Sequence, residues 1–355
     1  MGTYSKSPSI IILTDDKKGH VNQSWAVAHL LPNPTLTSIP IQYKSKIHQF
    51  ILSVLTYVPC PKFLIPFFLI QNLKKDSYQK IASAPCHMVI STGSSLNAPN
   101  LFLSKLKSAK SVVVMRPSWG WKKHYDLQII PKHDTLSSFY VPQSNAVLTL
   151  GAPTPISKKD FQEHAQELSI TLKLPEKKYI SLFIGGNSSH HTLTLSAAYH
   201  LIQIVEKIIE EKEFYLLITT SRRTPHDIAH YLKNTFSHHP RCPLLIISEE
   251  TPSQPKTLVS GMMGLSELIL VTEDSISMIS EAASSGKKVI VVQTDPNQKK
   301  SKHRLFIQEL SQEGYIDLAP LPSLDKIITQ SLESTSPPKV LNNTASIQEA
   351  LLKLL

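Results

Sequence analysis

Residues 271–292, VTEDSISMISEAASSGKKVIVV, decide the fold of this chain. The stretch starts with an apolar β-branched run, continues through a polar turn and a helix-forming segment, and returns to a β-branched run after Gly286. Glycine commonly closes a helix because it adopts the left-handed backbone conformation without a steric penalty. The stretch therefore predicts a strand, a helix of two to three turns and a second, parallel strand.

The same alternation of short β-branched runs and helix-forming stretches extends along the whole chain. In the first half the predicted strands are 9–13, 35–39, 88–90, 111–115, 127–130 and, more weakly, 146–148. In the second half they are 179–184, 214–219, 244–248, 267–271 and 289–292. Each half therefore predicts an open parallel sheet covered by helices, which places the chain in the α/β class.

The length of the chain, 355 residues, indicates more than one domain. A single hydrophobic core usually stops growing at roughly 250–300 residues. We expect a basic amino-terminal Rossmann-like domain over residues 1–150, a linker over 151–175 and a second Rossmann-like domain over 176–335. The remaining residues, 336–355, predict a tail and an apolar helix that packs back on the first domain.

The positive charge of the chain is concentrated in its first half. Residues 1–150 contain 16 Lys and Arg against 5 Asp and Glu, whereas residues 151–355 contain 21 against 22. Such a field attracts nucleic acid, anionic membranes and phosphorylated substrates alike. The basic half lacks a nucleic-acid recognition motif and interleaved aromatic residues, so we expect no nucleic-acid partner.

The cysteines and the first apolar run indicate the compartment. Cys60, Cys86 and Cys242 lie far apart and are odd in number, which fits neither a disulfide framework nor a metal-ligand spacing. The apolar run at residues 10–13 is far too short for the core of a signal peptide. We therefore expect a cytoplasmic location.

The segment 48–73 departs from the regular alternation. It consists of two apolar pieces, separated by prolines and a lysine, and each piece is too short to span a bilayer. One interpretation is an interfacial hairpin flanked by lysines that favour anionic headgroups, which would hold the protein peripherally at the inner membrane face. The other is an ordinary buried helical pair, which the sequence slightly favours.

The turn after the first predicted strand, residues 14–20, contains groups suited to acid–base chemistry. The carboxyl end of a strand in an open α/β sheet faces the ligand crevice. His20 can act as a general base because its ordinary pKa is about 6.5, and Asp15 or Asp16 can orient it. A polar turn that merely joins strand and helix explains the same residues. Residues 91–95, after another strand, give only a weak anion-site signal.

Two turns of the second half suggest phosphate binding. Gly185 and Gly186 follow a strong strand in a chain with only 11 glycines, so the backbone must approach another group closely or turn sharply there. Arg222 and Arg223 follow the next strand, and the planar guanidinium group suits phosphate oxygens. Exposed, solvated arginines are the alternative interpretation. Because both loops follow the carboxyl ends of strands and so lie at the same edge of the sheet, we favour phosphate binding.

The helix inside residues 271–292 suggests a nucleotide site. Ser275 and Ser277 lie at the helix start, where free N–H groups and the positive end of the dipole attract a pyrophosphate. Glu281 follows at a distance that lets it accept hydrogen bonds from sugar hydroxyls. A plain helix cap with an outward glutamate would look similar.

Together these motifs resemble the mitochondrial-fission elongated-mitochondria family, whose bacterial members are regarded as glycosyltransferases. The resemblance covers about residues 10–315 and rests on 14–15, 18–20, 22–23, 184–186, 220–225 and 271–287. The chain departs from the family pattern at Asp16, where glycine is usual, and at Lys288, where proline is usual. More distantly, residues 19–21 and 281–282 are similar to elements of the peptidoglycan glycosyltransferase that adds N-acetylglucosamine to a lipid-linked precursor.

The resemblance implies a GT-B-like fold, in which two Rossmann-type domains face a cleft and the second mainly holds the nucleotide sugar. It implies metal-independent transfer of a sugar from a nucleotide-diphosphate donor to an envelope or lipid-linked glycan acceptor, with no cofactor. His20 would be the base with Asp15 orienting it, or Asp15 the base with His20 positioning it. The expected donor-binding residues are Gly185, Gly186, Asn187, Ser221, Arg222, Arg223, Asp274, Ser275, Ser277 and Glu281. A second interpretation, suggested by the plant members, is a non-enzymatic membrane-associated adaptor.

Overall fold

The computed structural model describes residues 7–15, 17–117, 124–135, 144–154, 156–188, 191–251, 256–295 and 302–355. The strands in these ranges are β1 (Ser9–Thr14), β2 (Thr35–Pro40), β3 (Met88–Thr92), β4 (Lys110–Val114), β5 (Leu127–Pro131), β6 (Ala146–Thr149), β7 (Tyr179–Ile184), β8 (Tyr215–Thr220), β9 (Leu244–Ile246), β10 (Ser266–Thr272), β11 (Lys288–Gln293) and β12 (Asp317–Pro320).

The helices are α1 (Lys18–Ala28), α2 (Lys46–Leu55), α3 (Ile65–Asn72), α4 (Lys75–Ser83), α5 (Asn97–Lys107), α6 (Lys158–Leu172), α7 (Leu195–Glu211), α8 (His226–Phe236), α9 (Lys256–Leu265), α10 (Ile276–Ser284), α11 (Lys302–Gln312), α12 (Leu324–Glu333) and α13 (Thr344–Leu352).

The chain forms two compact units, each built on a parallel sheet. Unit 1 comprises residues 1–155 and 343–355, and unit 2 comprises residues 156–342. Within the described residues, the first sheet has the order β2-β1-β3-β4-β5-β6 and the second β12-β11-β10-β7-β8-β9. In a parallel sheet all carboxyl ends lie at one edge, so the turns that follow neighbouring strands meet there.

Strand β1 shows why these runs form buried strands. Successive side chains of a strand point to opposite faces of its sheet. Ile11 and Leu13 pack into one core of unit 1, with residues of α2, α3 and α5. Ile10 and Ile12 pack into the opposite core, with residues of α1 and α13. Helices cover both faces, so residues 10–13 are all apolar rather than alternating with polar ones.

Each of the eleven predicted strands is found within two residues of its predicted bounds. Strand β12 was missed. It has only four residues, DLAP, of which none is β-branched, and it pairs with β11 alone at the edge of its sheet. A short edge strand with a charge and a proline has no period-two apolar pattern to detect.

The connection between the units contains more structure than a linker. Residues 158–172, inside the predicted linker, form α6, which a capping box between Ser157 and Asp160 starts. Helix α6 belongs to unit 2, where the carbonyl groups of Phe161 and His164 lie against Gly264 and Gly261 of α9. At the other end of the chain, Ile347 and Leu351 of α13 are buried in unit 1.

The segment 48–73 forms two short helices, α2 and α3, with apolar residues on both of their faces. Leu52, Ile65 and Leu69 are fully buried in the core of unit 1. In contrast, Phe63 is 78% exposed and Phe50 is 60% exposed. The interpretation as an ordinary buried helical pair is therefore wrong for the outer faces.

We call the exposed apolar side chains of these helices and of the segment between them the α2–α3 patch. It comprises Ile47, Phe50, Ile51, Val54, Tyr57, Val58, Phe63, Leu64, Phe67 and Ile70. Soluble monomers rarely expose so many large apolar side chains on neighbouring elements, and such a patch commonly marks an interaction surface. No helix in the described part of the chain is both long enough and apolar enough to cross a membrane.

Candidate active site

Asp15 and His20 form a hydrogen-bonded pair at the carboxyl end of β1. Asp15 follows the last residue of the strand, and His20 lies in the first turn of α1. The Nδ1 atom of His20 lies 3.0 and 3.1 Å from the two carboxylate oxygens of Asp15. A carboxylate at Nδ1 favours the tautomer that carries its proton there, which leaves the Nε2 lone pair free to accept one. Asp16, the other predicted orienting residue, lies outside the described residues.

The turn after β3 holds this pair in place. Ser95 Oγ donates a hydrogen bond of 2.9 Å to Asp15 Oδ2. Gly93 adopts φ +98, and a Cβ atom at this position would lie 2.5 Å from Cε1 of His20. The His20 ring thus lies directly against a backbone position that only glycine fits.

Sequence reasoning missed these two contacts, although it singled out the turn at residues 91–95. Strand β3 is a parallel neighbour of β1 in the sheet. The sequence did contain a signal for this contact: both turns follow the carboxyl end of a predicted strand, and such turns meet when the two strands are parallel neighbours.

In unit 2, Asp274 joins the turns that follow β7, β8 and β10. Its buried carboxylate accepts hydrogen bonds from Thr272 Oγ1 at 2.7 Å, Gly186 N at 3.1 Å and Arg223 Nη2 at 2.7 Å. Removal of the cation beside a buried carboxylate costs several kcal/mol, so the ion pair of Arg223 and Asp274 holds the three turns together firmly. Two of these bonds fall on Oδ2 and one on Oδ1, so the main task of this carboxylate is to hold the three turns together.

The two glycines are required by close packing. A Cβ atom on Gly185 would lie 1.7 Å from Oδ1 of Asp274, and one on Gly186 would lie 2.0 Å from the carbonyl oxygen of Arg223. Asn187 donates its backbone N–H to that same carbonyl, and Ser221 Oγ accepts the backbone N–H of Arg223. We call the residues tied together here the Asp274 cluster: Gly185, Gly186, Asn187, Ser221, Arg223 and Asp274.

A different set of predicted residues keeps its polar groups available. Arg222 is exposed, and its guanidinium has no hydrogen-bond or ion-pair partner among the described residues. Ser275 caps α10 by accepting the backbone N–H of Met278, and Ser277 lies in the first helical turn. The first N–H groups of a helix have no intrahelical acceptor, and the dipole makes this end positive. Arg222 and the start of α10 can therefore each attract an anion.

Glu281 lies one turn further along α10 and is half-buried. Within the described ranges its carboxylate has no hydrogen-bond or ion-pair partner. Burial raises the pKa of Glu281 from its usual 4.5 to about 7, because the charged form loses hydration that nothing replaces. Hydroxyl groups of a bound sugar would supply the missing hydrogen bonds to the ionised form.

His191 and Glu273 form a buried pair near the carboxyl ends of the strands of unit 2. The sequence did not predict this contact. Glu273 accepts the backbone N–H groups of Thr294 and Asp295 at 3.0 and 2.9 Å. His191 Nε2 lies 3.0 Å from Thr294 Oγ1 and 3.7 Å from Glu273. Burial also raises the pKa of Glu273. The pair ties the turn after β11 to those after β7 and β10.

Among the residues that the structure describes, no three or more His, Cys, Asp or Glu side chains are grouped as metal ligands. The neighbour of His191 in the sequence, His190, lies outside the described residues.

The family model described as mitochondrial fission ELM1 matches residues 18–355. The chain belongs to the mitochondrial fission ELM1 family. This match confirms the resemblance that the motifs indicated. The ELM1-family chain is also 25% identical over 337 residues to "Uncharacterized protein RP120" of Rickettsia prowazekii (strain Madrid E), covering 85% of this chain and 88% of that protein.

Solved structures with the same fold cover almost the whole ELM1-family chain. UDP-GlcNAc 2-epimerase from Methanocaldococcus jannaschii matches with a TM-score of 0.60 at 13% identity, over 98% of both chains. UDP-GlcNAc 2-epimerase from Neisseria meningitidis bound to UDP-GlcNAc matches with a TM-score of 0.56 at 12% identity, over 97% of this chain and 98% of that one. A glycosyltransferase from Rickettsia africae ESF-5 matches with a TM-score of 0.50 at 12% identity, over 98% and 94%.

At these identities the likeness shows the fold alone. With the two six-stranded parallel sheets, it confirms the expected GT-B-like fold of two Rossmann-type units.

Proposed function

We propose that the protein transfers a sugar from a nucleotide-diphosphate donor, bound by unit 2, to a hydroxyl group of an acceptor bound by unit 1. The observation that supports this most is Glu281, a carboxyl that has no partner among the residues that the structure describes and a pKa raised to about 7 by burial, one turn beyond the anion-attracting start of α10. The start of a helix can bind the phosphate groups of a nucleotide sugar, and a carboxylate without hydrogen bonds can bind the hydroxyl groups of its sugar.

On the donor side, the role of unit 2 is to stabilise the departing diphosphate. Arg222 offers a fork of N–H donors, and α10 offers its first N–H groups together with the Ser277 hydroxyl. The Asp274 cluster holds the turns that carry these groups in place, through the bonds from Gly186 and Arg223 to the Asp274 carboxylate. Charge that develops on the leaving group then meets donors already in place.

On the acceptor side, His20 is the general base. Its Nε2 takes the proton of the acceptor hydroxyl as that oxygen bonds to the anomeric carbon, while the bond to the diphosphate breaks and leaves its electron pair there. Asp15 orients the ring and stabilises the imidazolium that forms. Asp15 itself is a poorer base because Ser95 and His20 already occupy its oxygens.

The acceptor partner is proposed to be an envelope or lipid-linked glycan at the cytoplasmic face of a membrane. The α2–α3 patch exposes apolar side chains, and the lysines at 44, 46, 74 and 75 flank its two helices. Apolar insertion and attraction to anionic headgroups add, and each lysine contributes on the order of 1 kcal/mol near such a surface. This patch would also serve the second candidate function, a membrane-associated adaptor without activity.

The test of the enzyme proposal is thermal-shift screening against nucleotide diphosphates and nucleotide sugars. We expect at least one to raise the melting temperature of the wild type, and Arg222→Ala and Glu281→Ala to abolish the shift. Arg241→Ala is a matched control, because Arg241 precedes β9 and so lies at the opposite edge of the sheet, paired with Glu210.

The adaptor would become the better account if no nucleotide shifts the wild type. The same holds if the two variants bind as tightly as the Arg241→Ala control.

A further inference from the structure

A cavity of about 370 Å³ lies in unit 1 between α2 and α5. Its apolar walls include Phe50 and Val54 of α2, Ala98 and Leu101 of α5, and the ring of Tyr125. Ligand sites in proteins usually measure about 300–1,000 Å³, whereas one water occupies about 30 Å³. The cavity is therefore large enough for a segment of hydrocarbon chain.

One residue of the wall adjoins the residues that hold the Asp15–His20 pair. Ser94 lines the cavity, and its two chain neighbours make the contacts that hold the pair. Gly93 lies against the His20 ring, and Ser95 donates to Asp15. Adjacent Cα atoms are about 3.8 Å apart, so the cavity wall at Ser94 is one residue away from each of the two contacts that hold the proposed base.

The same wall carries an unsatisfied polar group. Asn97 lines the cavity, and its buried Oδ1 has no hydrogen-bond partner in the described part of the chain. An unpaired buried oxygen costs free energy unless a donor reaches it. This oxygen is closed to solvent in the structure, so a hydroxyl-bearing head group would supply the donor only once the Asn97 side chain turns toward the cavity.

The other part of the wall opens toward an apolar and cationic surface. Phe50 and Val54 belong both to the cavity and to the α2–α3 patch. Lys46, at the start of α2, also lines the cavity and forms no ion pair within the described residues. With 16 basic against 5 acidic residues over positions 1–150, the surroundings favour an anion.

We propose that this cavity binds the hydrocarbon chain of an anionic amphiphile whose head group reaches His20. The acceptor of the proposed transfer is then a single lipid-linked molecule, held by its chain between α2 and α5, rather than a soluble glycan. This assignment of the acceptor rests on the proposed function. Binding of the amphiphile itself does not, because it needs neither a nucleotide nor catalysis.

The experiment measures binding of a monomeric amphiphile to the full chain. Dansyl-undecanoate is the fluorescent probe, excited directly at the dansyl group, and dodecyl phosphate below its critical micelle concentration is the competitor. Inorganic phosphate is the head-group control. We expect dodecyl phosphate to displace the probe and inorganic phosphate to leave it bound.

Two matched pairs of variants locate the site. Val54 lines the cavity, whereas Val58 is a patch residue that is not among its lining residues. Val54→Trp should fill the cavity and weaken dodecyl phosphate binding by at least about tenfold, since loss of contact with a few methylene groups has that effect. Val58→Trp adds the same bulk and should bind as the wild type does. Val54→Asp and Val58→Asp repeat the comparison with a charge, and circular dichroism verifies the fold of all four.

Three results would overturn the proposal: no probe binding by the wild type, displacement by inorganic phosphate alone, or equal effects at positions 54 and 58. Equal effects would mean that the probe binds on the α2–α3 patch, where a membrane would also bind, and not in the cavity. These failures are distinct from failure of the proposed function. A chain that binds nucleotide but no amphiphile refutes only the cavity, and one that binds amphiphile but no nucleotide refutes only the transfer.

Discussion

Replacement of Glu281 by glutamine should make unit 2 more stable at alkaline pH. The carboxyl is half-buried and has no partner in the described part of the chain, and its pKa is raised from 4.5 to about 7 by loss of hydration. A raised carboxyl pKa means that the folded state holds the proton more tightly than the unfolded state. The free energy of unfolding therefore falls as the pH rises from about 4.5 to about 7, and the loss is complete above both values.

The size of the effect follows from the shift. One pKa unit corresponds to about 1.4 kcal/mol, so a shift from 4.5 to about 7 costs the wild type about 3 kcal/mol above pH 7. Glutamine resembles the protonated acid and never ionises, so Glu281→Gln avoids this cost. The expected gain is about 3 kcal/mol at pH 8 and close to zero at pH 4.

Urea unfolding of both proteins at pH 4 and pH 8, followed by circular dichroism, measures this difference. Glu176→Gln, at an exposed glutamate of the same unit, corrects for the general effect of removing a negative charge. The reasoning is refuted if Glu281→Gln changes stability equally at the two pH values. The same substitution should abolish the nucleotide-induced thermal shift, so a gain in stability with a loss of binding would indicate a carboxylate kept for a ligand.

The remaining predictions address the base, the glycines and the patch. His20→Ala should lower turnover by roughly 10²–10⁴-fold while nucleotide affinity is unchanged, and full turnover would remove His20 from the mechanism. Gly185→Ala should lower the free energy of unfolding by about 3 kcal/mol or more, because its Cβ would lie 1.7 Å from Asp274. Gly314→Ala, with open space around it and φ +77, should cost only about 1 kcal/mol, and equal losses would contradict the packing argument. Co-sedimentation with anionic vesicles should be strong at low salt, weak at high salt and reduced by Phe63→Glu. Equal binding to neutral vesicles would contradict a role for the positive charge.

The fold of this protein was largely predictable because each half repeats one local pattern. Buried parallel strands need continuous apolar β-branched runs, and these stood out between helix-forming stretches. Gly286, which follows α10 with φ +75, closed the helix in the stretch 271–292 as its position predicted. Strand β12 was missed because it has only four residues and lies at the edge of the sheet. Its pairing with β11 defines it, and its sequence has no apolar alternation to detect.

The candidate site was predictable only in outline. Parallel topology brings the turns that carry Gly185, Arg223 and Asp274 to one edge, and sequence reasoning placed them there. It could not distinguish a side chain that faces a ligand from one that faces a neighbouring turn. Arg223 and Asp274, 51 positions apart, pair with each other, whereas Arg222 stays exposed.

What the sequence determined by itself was therefore the set of strands and helices, the division into two Rossmann-type halves and the family. These depend on local periodicity and on motifs of adjacent residues, which are complete before the chain folds. Tertiary structure alone decided which polar groups remain unpaired. Ser95 reaches Asp15 across 80 positions, and Glu281 loses hydration without gaining a partner among the described residues, because hydrogen bonding and burial depend on the packing of segments far apart in the sequence.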